Sequence, residues 1–242
     1  MRNEIKNGDA FSLFPRYERN SFSAVITSPP YNMNLRIRNG KYCSRQIVKE
    51  ISTKYKAYDD NLPMEDYFQF LKRTVTESLR VAPYLFLNVQ VLTGNKPAVF
   101  RLLGEFAYSV KELIVWNKTT AEPAIGAGVL NSQFELIIVF SKDRPESRRF
   151  AGAIFDRGTL SNLWDIKRGR KTHKEHGAIF PEALVERILT NFVPVGARVL
   201  DPFAGTGTVG AVSKRLGFSS IGFELDEDYA EAARQRIRNT RP

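Results

Sequence analysis

Six short runs constrain this chain more than any other feature: Ala24–Thr27, Leu85–Val89, Lys111–Trp116, Phe134–Phe140, Arg198–Asp201 and Ser220–Glu224. They are nearly continuous in apolar residues rather than alternating, which is how a strand reads when both faces of its sheet are covered. A brief strand around Ile5 adds a seventh, expected at an edge. Helical spacing appears between them. Behind Pro181, the residues Leu184, Val185, Ile188, Leu189 and Phe192 return on one helix face. Met64–Arg80 reads the same way, as does Asp228–Arg238, which is expected to bury Tyr229, Ala233 and Ile237. Thr208–Leu216 is a shorter helix stopped by Gly217. Strands alternating with helices imply an α/β fold: a doubly wound, mostly parallel sheet of seven strands with ligands at the strands' carboxyl ends.

The 242 residues suffice for a single domain, 1–242, and no repeat or low-complexity linker divides it. No apolar run approaches the roughly 20 residues needed to span a bilayer, and the first residues lack a signal-peptide core. One cysteine, Cys43, excludes an internal disulfide and fits a reducing, intracellular setting. With so few thiols, His173 and His176 have no ligand set around them, so no metal site is expected. The net charge of +10 favours a polyanionic partner. Its placement is uneven: seven basic residues against one acid between Asn32 and Tyr58, and ten against four between Ser141 and Lys174. Neither stretch has clear periodicity. Each reads as a solvated surface loop or as one bank of a phosphate-tracking cleft, with Arg168, Arg170, Lys171 and Lys174 as candidate phosphate contacts.

Near the carboxyl end, a buried strand should finish at Asp201, and Pro202 then ends its pairing. Ala204-Gly205-Thr206-Gly207-Thr208 turns tightly into a helix. Glycines there admit a ligand close to the backbone, and the helix start offers free amides and a positive dipole to an anionic group. Asp201 can accept from an ammonium group. A second strand ends in Glu224, nineteen residues after Gly205, where an acid can grip both hydroxyls of a ribose. Gly205, Gly207 and Gly210 also spell a dinucleotide fingerprint, but a carboxylate at Asp201 would repel a pyrophosphate.

Near the amino end, the strand to Thr27 runs into Ser28-Pro29-Pro30-Tyr31. Two prolines stiffen the turn and remove two donors, so its carbonyls are expected to point outward unpaired. Such acceptors suit the hydrogens of an exocyclic amine on a nucleobase, and Tyr31 supplies a face for stacking. Attack of that amine on a sulfonium methyl leaves a neutral thioether, so positioning can carry most of the rate. No strong general base is evident among these residues. Asn88, at a strand end, is either polar lining of the site or a loop cap, and Trp116 and Trp164 are expected to be packed aromatics.

These motifs, in this order, resemble the amino-methyltransferases of bacterial DNA modification, in the permuted class called β. The resemblance runs through Asn7-Gly8-Asp9-Ala10, Ser28–Asn32, His176–Pro181 with Leu184, Asp201–Thr208, and Gly222-x-Glu224 with Tyr229. It implies a Rossmann-like fold dependent on S-adenosylmethionine (AdoMet), acting on double-stranded DNA by base flipping. By resemblance, Asp9 and Ala10 meet the cofactor's adenine, and Glu224 its ribose. Asp201, Gly205, Gly207 and Thr208, with Phe203 beside them, meet its methionine part, and His176, Phe180 and Pro181 close over that end. Ser28, Pro29, Pro30 and Tyr31 hold the base. A small target-recognition insertion is implied at 141–174. Serine at the first motif position is commoner in cytosine-N4 than in adenine-N6 enzymes, which favours cytosine N4. A catalytically inactive DNA-binding relative and an RNA methyltransferase share the same motifs. The resemblance also implies a cytoplasmic, nucleoid-associated bacterial protein, and a homodimer or a restriction endonuclease of the same system as protein partners.

Overall fold

The computed structural model describes residues 2–32, 36–38, 41–43, 61–122, 127–143, 147–168 and 180–242. In chain order the elements are β1 (Asn3–Asn7), α1 (Ala10–Leu13), β2 (Ala24–Thr27), β3 (Arg36–Arg38), β4 (Lys41–Cys43), α2 (Met64–Val81) and β5 (Tyr84–Val89). There follow α3 (Lys96–Glu105), β6 (Val110–Glu122), β7 (Ser132–Ser141), β8 (Leu163–Asp165), α4 (Glu182–Phe192), β9 (Arg198–Asp201), α5 (Thr208–Arg215), β10 (Ser219–Glu224) and α6 (Glu227–Asn239).

The main sheet runs β1-β10-β9-β2-β5-β7-β6-β8, while β3 and β4 form a separate antiparallel pair. From β1 to β5 every pairing is parallel; β7 is antiparallel to both β5 and β6. The sheet therefore has one strand more than the seven expected. The eighth, β8, pairs parallel to β6 through Leu163, Trp164 and Asp165, and only the middle residue is buried. Three residues with exposed ends leave no apolar run to read. β8 belongs to the 141–174 segment, and Phe150 and Phe155 of the same segment pack on the core.

The apolar runs are continuous because each strand feeds two layers. Along β5, Leu85, Leu87 and Val89 join one core cluster while Phe86 joins the other. Val25 likewise parts from Ala24 and Ile26, and Leu200 from Val199, as the two-residue period of a strand requires. α2 covers the first face with Tyr67, Phe68, Leu71 and Val75; α4 covers the second with Leu184, Val185, Ile188 and Leu189. Each such side chain contributes about 1.5–3 kcal/mol on burial. In α6 the buried residues are Ala230, Ala233 and Ile237. Tyr229, expected in the core, instead lines a cavity, because it precedes the buried stripe by one position. Trp116 and Trp164 are buried, each indole donating to a backbone carbonyl.

From β9 the chain leaves through α5 toward β10, and from β2 through α2 toward β5, on opposite faces. Neighbouring strands that depart in opposite directions open a crevice at their carboxyl ends. Among the described residues no helix is long and apolar enough to cross a membrane.

Candidate active site

The register of the sheet brings the two distant motifs together. β2 pairs with β9, Ala24 opposite Val199 and Val25 opposite Leu200, so Ser28–Tyr31 and Pro202–Gly207 emerge side by side. Thr27 at the end of β2 donates from Oγ1 to Asp201 Oδ1 across 2.7 Å. On the other flank β10 pairs with β1, Glu224 opposite Asn7, which adds Gly8, Asp9 and Ala10 to the same rim. These strand ends enclose a cavity of about 250 Å³. Its wall includes Asp9, Ala10, Ser28, Pro29, Pro30, Tyr31, Phe180, Asp201, Phe203, Gly205, Thr208 and Glu224. Gly207 and Pro181 are not on it, and His176 lies outside the described residues.

Gly207 has a different reason to be glycine. It caps α5 at φ +77°, and a Cβ there would stand 2.8 Å from the Cβ of Ala233 in α6. Gly205, at φ +51°, faces open space where a ligand can approach, and its amide donates to Glu224 Oε2 at 2.7 Å. Pro181 is the N-cap residue of α4. Asp9 caps α1, accepting from the amide and hydroxyl of Ser12, both at 2.9 Å.

Two acids face the cavity, Asp201 buried and Glu224 half-buried. Burial pushes Asp201 up to about 7, against the opposing effect of hydrogen bonds from Thr27 and the Phe203 amide; the charge of Glu224 adds to the rise. Both bonds go to Oδ1, so Oδ2 is left to meet a ligand. Glu224 is also raised by burial, and the amides of Asp226 and Gly205 oppose the rise, one on each carboxylate oxygen. Carboxylates held this way gain from any ligand that brings a cation or hydroxyl donors. Phe11, Phe70 and Phe203 supply an apolar wall, with Phe70 and Phe203 rings 5.4 Å apart.

The Ser28–Tyr31 turn is held from behind. Its Pro30 carbonyl, expected to be unpaired, accepts from the hydroxyl of Tyr67 at 2.8 Å, because a tyrosine buried in α2 needs a partner. The Tyr31 carbonyl accepts from the fully buried Asn95 at 2.7 Å. Among the described residues the Pro29 carbonyl takes no donor. Asn32 sits at φ +54° and clamps both backbone groups of Leu62. The Tyr31 hydroxyl reaches Glu135 Oε2 at 2.8 Å, Asn88 Nδ2 at 2.6 Å and Ser28 Oγ at 2.9 Å. Lys118 Nζ donates to Glu135 Oε1 at 3.0 Å. Burial, then the charge of Glu135, lifts the Tyr31 phenol well above its ordinary range, so it stays protonated. Sequence reasoning left Asn88 open and missed Tyr67, Asn95, Lys118 and Glu135. For the last two the only signal was a charge inside an apolar run, Glu135 following Phe134 and Lys118 following Trp116 by two.

A family model described as DNA methylase, of the N6 and N4 methyltransferase type, matches residues 22–235. The type II methyltransferase M2.DpnII of Streptococcus pneumoniae is 24% identical over 242 aligned residues, covering 96% of this chain and 88% of the relative. The type II methyltransferase M.HpaI of Haemophilus parainfluenzae is 27% identical over 252, covering 95% and 72%. The solved PvuII DNA methyltransferase, cytosine-N4-specific, matches with a TM-score of 0.73 at 18% identity, covering 98% of this chain and 87% of that one. The M1.HpyAVI–SAM complex matches at 0.64 and 20% identity, covering 97% and 98%. These two likenesses establish the fold. With the family match spanning nearly the whole sheet and both motifs, the chain belongs to the DNA methylase family of N6/N4 methyltransferases and is a DNA methyltransferase.

Proposed function

We propose that this protein transfers the methyl group of AdoMet to the exocyclic amine of a flipped DNA base, with N4 of cytosine as the target. The observation that carries the reading is the meeting of Ser28–Tyr31 with Asp201, Gly205 and Glu224 around one cavity. When bound, AdoMet supplies an electrophilic methyl on a sulfonium. The residues present suit it. Asp201 Oδ2 pairs with its ammonium, the α5 start and its amides with its carboxylate, and Glu224 with the ribose hydroxyls; the phenylalanine wall flanks its adenine. Phe180 closes the methionine end.

On the other side, the Ser28 hydroxyl and Pro29 carbonyl accept from the amine, and Tyr31 supports the ring. A paired base cannot reach a recess at the strand ends, so the base leaves the duplex first, at a cost of a few kcal/mol. Serine rather than a carboxylate at position 28 favours cytosine N4. The net charge of +10 supports DNA contact through counterion release. The basic 141–174 segment, which carries β8 at the sheet edge beyond β6, serves as target recognition. The type II relatives favour a restriction endonuclease of the same system as a functional partner.

The test is transfer of label from AdoMet to duplex DNA, followed by digestion to nucleosides and mass spectrometry. N4-methyldeoxycytidine is expected. N6-methyldeoxyadenosine would move the target to adenine, label on RNA alone would change the substrate class, and no label across varied sequences would overturn the reading.

A further inference from the structure

The buried polar cluster behind Tyr31 is larger than positioning a ring requires. Glu135 and Lys118 have side chains 10% and 2% exposed, in a layer otherwise filled by Ile114, Trp116 and Ile137. Desolvating such a pair cancels most of its attraction, and an apolar pair of the same volume would hold the sheet as well. Lys118 can reach inward because β6 is irregular beyond Asn117 and Thr119 turns to φ +63°. A strained turn and a costly ion pair, converging on one hydroxyl at the cavity wall, point to chemistry.

Donor and acceptor rules give the cluster a direction. A carboxylate only accepts and an amide nitrogen only donates. Asn88 Nδ2 donates to Tyr31 Oη at 2.6 Å and to Glu135 Oε2 at 2.8 Å. Tyr31 has one proton, and its contact with Glu135 at 2.8 Å needs it. The remaining contact, at 2.9 Å, must then be donated by Ser28 to Tyr31. Apart from a long 3.5 Å contact from Asn88 Nδ2, Ser28 Oγ is left presenting lone pairs to the cavity it lines.

We propose that Ser28, Tyr31 and Glu135 form a proton wire that removes the proton released by the methylated amine, with Glu135 as the terminal acceptor. The inference rests on the methyl-transfer reading above. As the amine nitrogen bonds to the methyl, the carbon–sulfur bond breaks and its electron pair stays on sulfur. The nitrogen then sheds one proton to Ser28 Oγ, the serine proton moves to Tyr31 Oη, and the phenol proton moves to Glu135 Oε2. Atoms and charge balance: the positive charge lost at sulfur arrives as a proton neutralising Glu135. Lys118 Nζ holds Glu135 Oε1 at 3.0 Å, Asn88 donates to Oε2 and fixes its orientation, and a phenol that resists ionisation passes a proton without storing a charge. After product leaves, the reverse shift returns the proton through Ser28 to water. An exocyclic amine whose lone pair is shared with its ring gains from such an acceptor, since general-base assistance contributes on the order of 10²-fold or more.

The experiment is single-turnover transfer of labelled methyl to duplex DNA, in H₂O and D₂O. It compares wild type, Tyr31→Phe, the charge-neutral pair Lys118→Met/Glu135→Gln, and the triple variant. The wire predicts a drop of about 10²-fold in Tyr31→Phe and in the pair, no further loss in the triple, and a wild-type solvent isotope effect that shrinks in both. AdoMet affinity should stay within a few fold. A pair variant with wild-type rate and isotope effect would make Lys118 and Glu135 purely structural, and losses that multiply in the triple would break the wire. Should the pair variant lose its melting transition, Tyr31→Phe decides, because it keeps the ring and leaves the ion pair in place. Wild-type protein that labels no DNA would instead sink the methyl-transfer reading.

Discussion

The two walls of the cavity are built differently. On the cofactor side, the functional groups come from two consecutive strand-and-turn units: Asp201 and Gly205 after β9, Glu224 after β10, linked by the bond from the Gly205 amide to Glu224. On the base side, the turn after β2 is short, but its support comes from α2, β5, β6 and β7 through Tyr67, Asn88, Lys118 and Glu135. Apart from the Thr27 bond to Asp201, the polar groups of the first wall are local, and the second is assembled from across the fold. A local wall should tolerate change elsewhere in the molecule, whereas an assembled one should fail when any distant member is altered.

The largest effect that separates the walls is expected at Lys118. Lys118→Met takes the cation from a carboxylate in the core and leaves Glu135 Oε2 with Tyr31 and Asn88 alone, which should cost about 3–5 kcal/mol of folding stability. Denaturant unfolding with and without AdoMet measures it. A loss below about 1 kcal/mol would mean the carboxylate finds water or another partner, and the base side would not depend on its distant strands. Next comes Tyr31→Ala, which removes the ring and the head of the network together. Methyl transfer should fall by at least about 10³-fold, about 10²-fold from the lost wire and the rest from ~1–3 kcal/mol of lost base stacking. AdoMet affinity should change by no more than a few fold, since Tyr31 belongs to the other wall. A large loss of cofactor binding in calorimetry would erase the distinction.

The contrast also explains what the sequence disclosed. The core strands were legible from near-continuous runs such as Ala24–Thr27 and Arg198–Asp201, which are buried nearly throughout. Asp201, Gly205 and Glu224 were legible because a strand end, a glycine turn and an acid at fixed spacing lie within one stretch of chain. Glu135 was not, because its partner Tyr31 is 104 residues away and only the antiparallel pairing of β7 with β5 brings it beside Asn88. Gly207 shows the opposite case. It was read toward the ligand from its place in the motif, yet its neighbour is Ala233 of α6, a contact that local spacing does not encode. β8 escaped because two of its three residues are exposed.

Glu224→Ala tests the local wall with a smaller expected effect. Loss of hydrogen bonds to a charged acceptor should weaken AdoMet by about 1–3 kcal/mol. It also frees the Gly205 amide, so part of the loss is the turn's own order. Calorimetry measures the affinity, and the methyl-transfer rate at saturating AdoMet, read with labelled cofactor, should remain within a few fold of wild type. A collapse of that rate would mean the two walls are coupled through the Gly205 turn.

The gentlest test is pH. Asp201 titrates near 7 in the folded protein against an ordinary value near 3.8, so between those limits the folded state holds the extra proton. Stability of the ligand-free protein should therefore fall as pH rises from about 4 to about 7, then level off. Binding should run the other way. An ammonium group pairs with the ionised carboxylate, so AdoMet affinity should weaken below pH 7, by at most about tenfold per unit. In Asp201→Asn the carbonyl still accepts from Thr27 and Phe203, while the charge is gone. That variant should bind AdoMet weakly at every pH, and its free form should be steadier than wild type at pH 8. Wild-type affinity that stays flat from pH 5.5 to 8, beside a variant of equal affinity, would remove the ammonium from Asp201. The polar grip of the cofactor wall would then rest on Glu224 and the α5 amides.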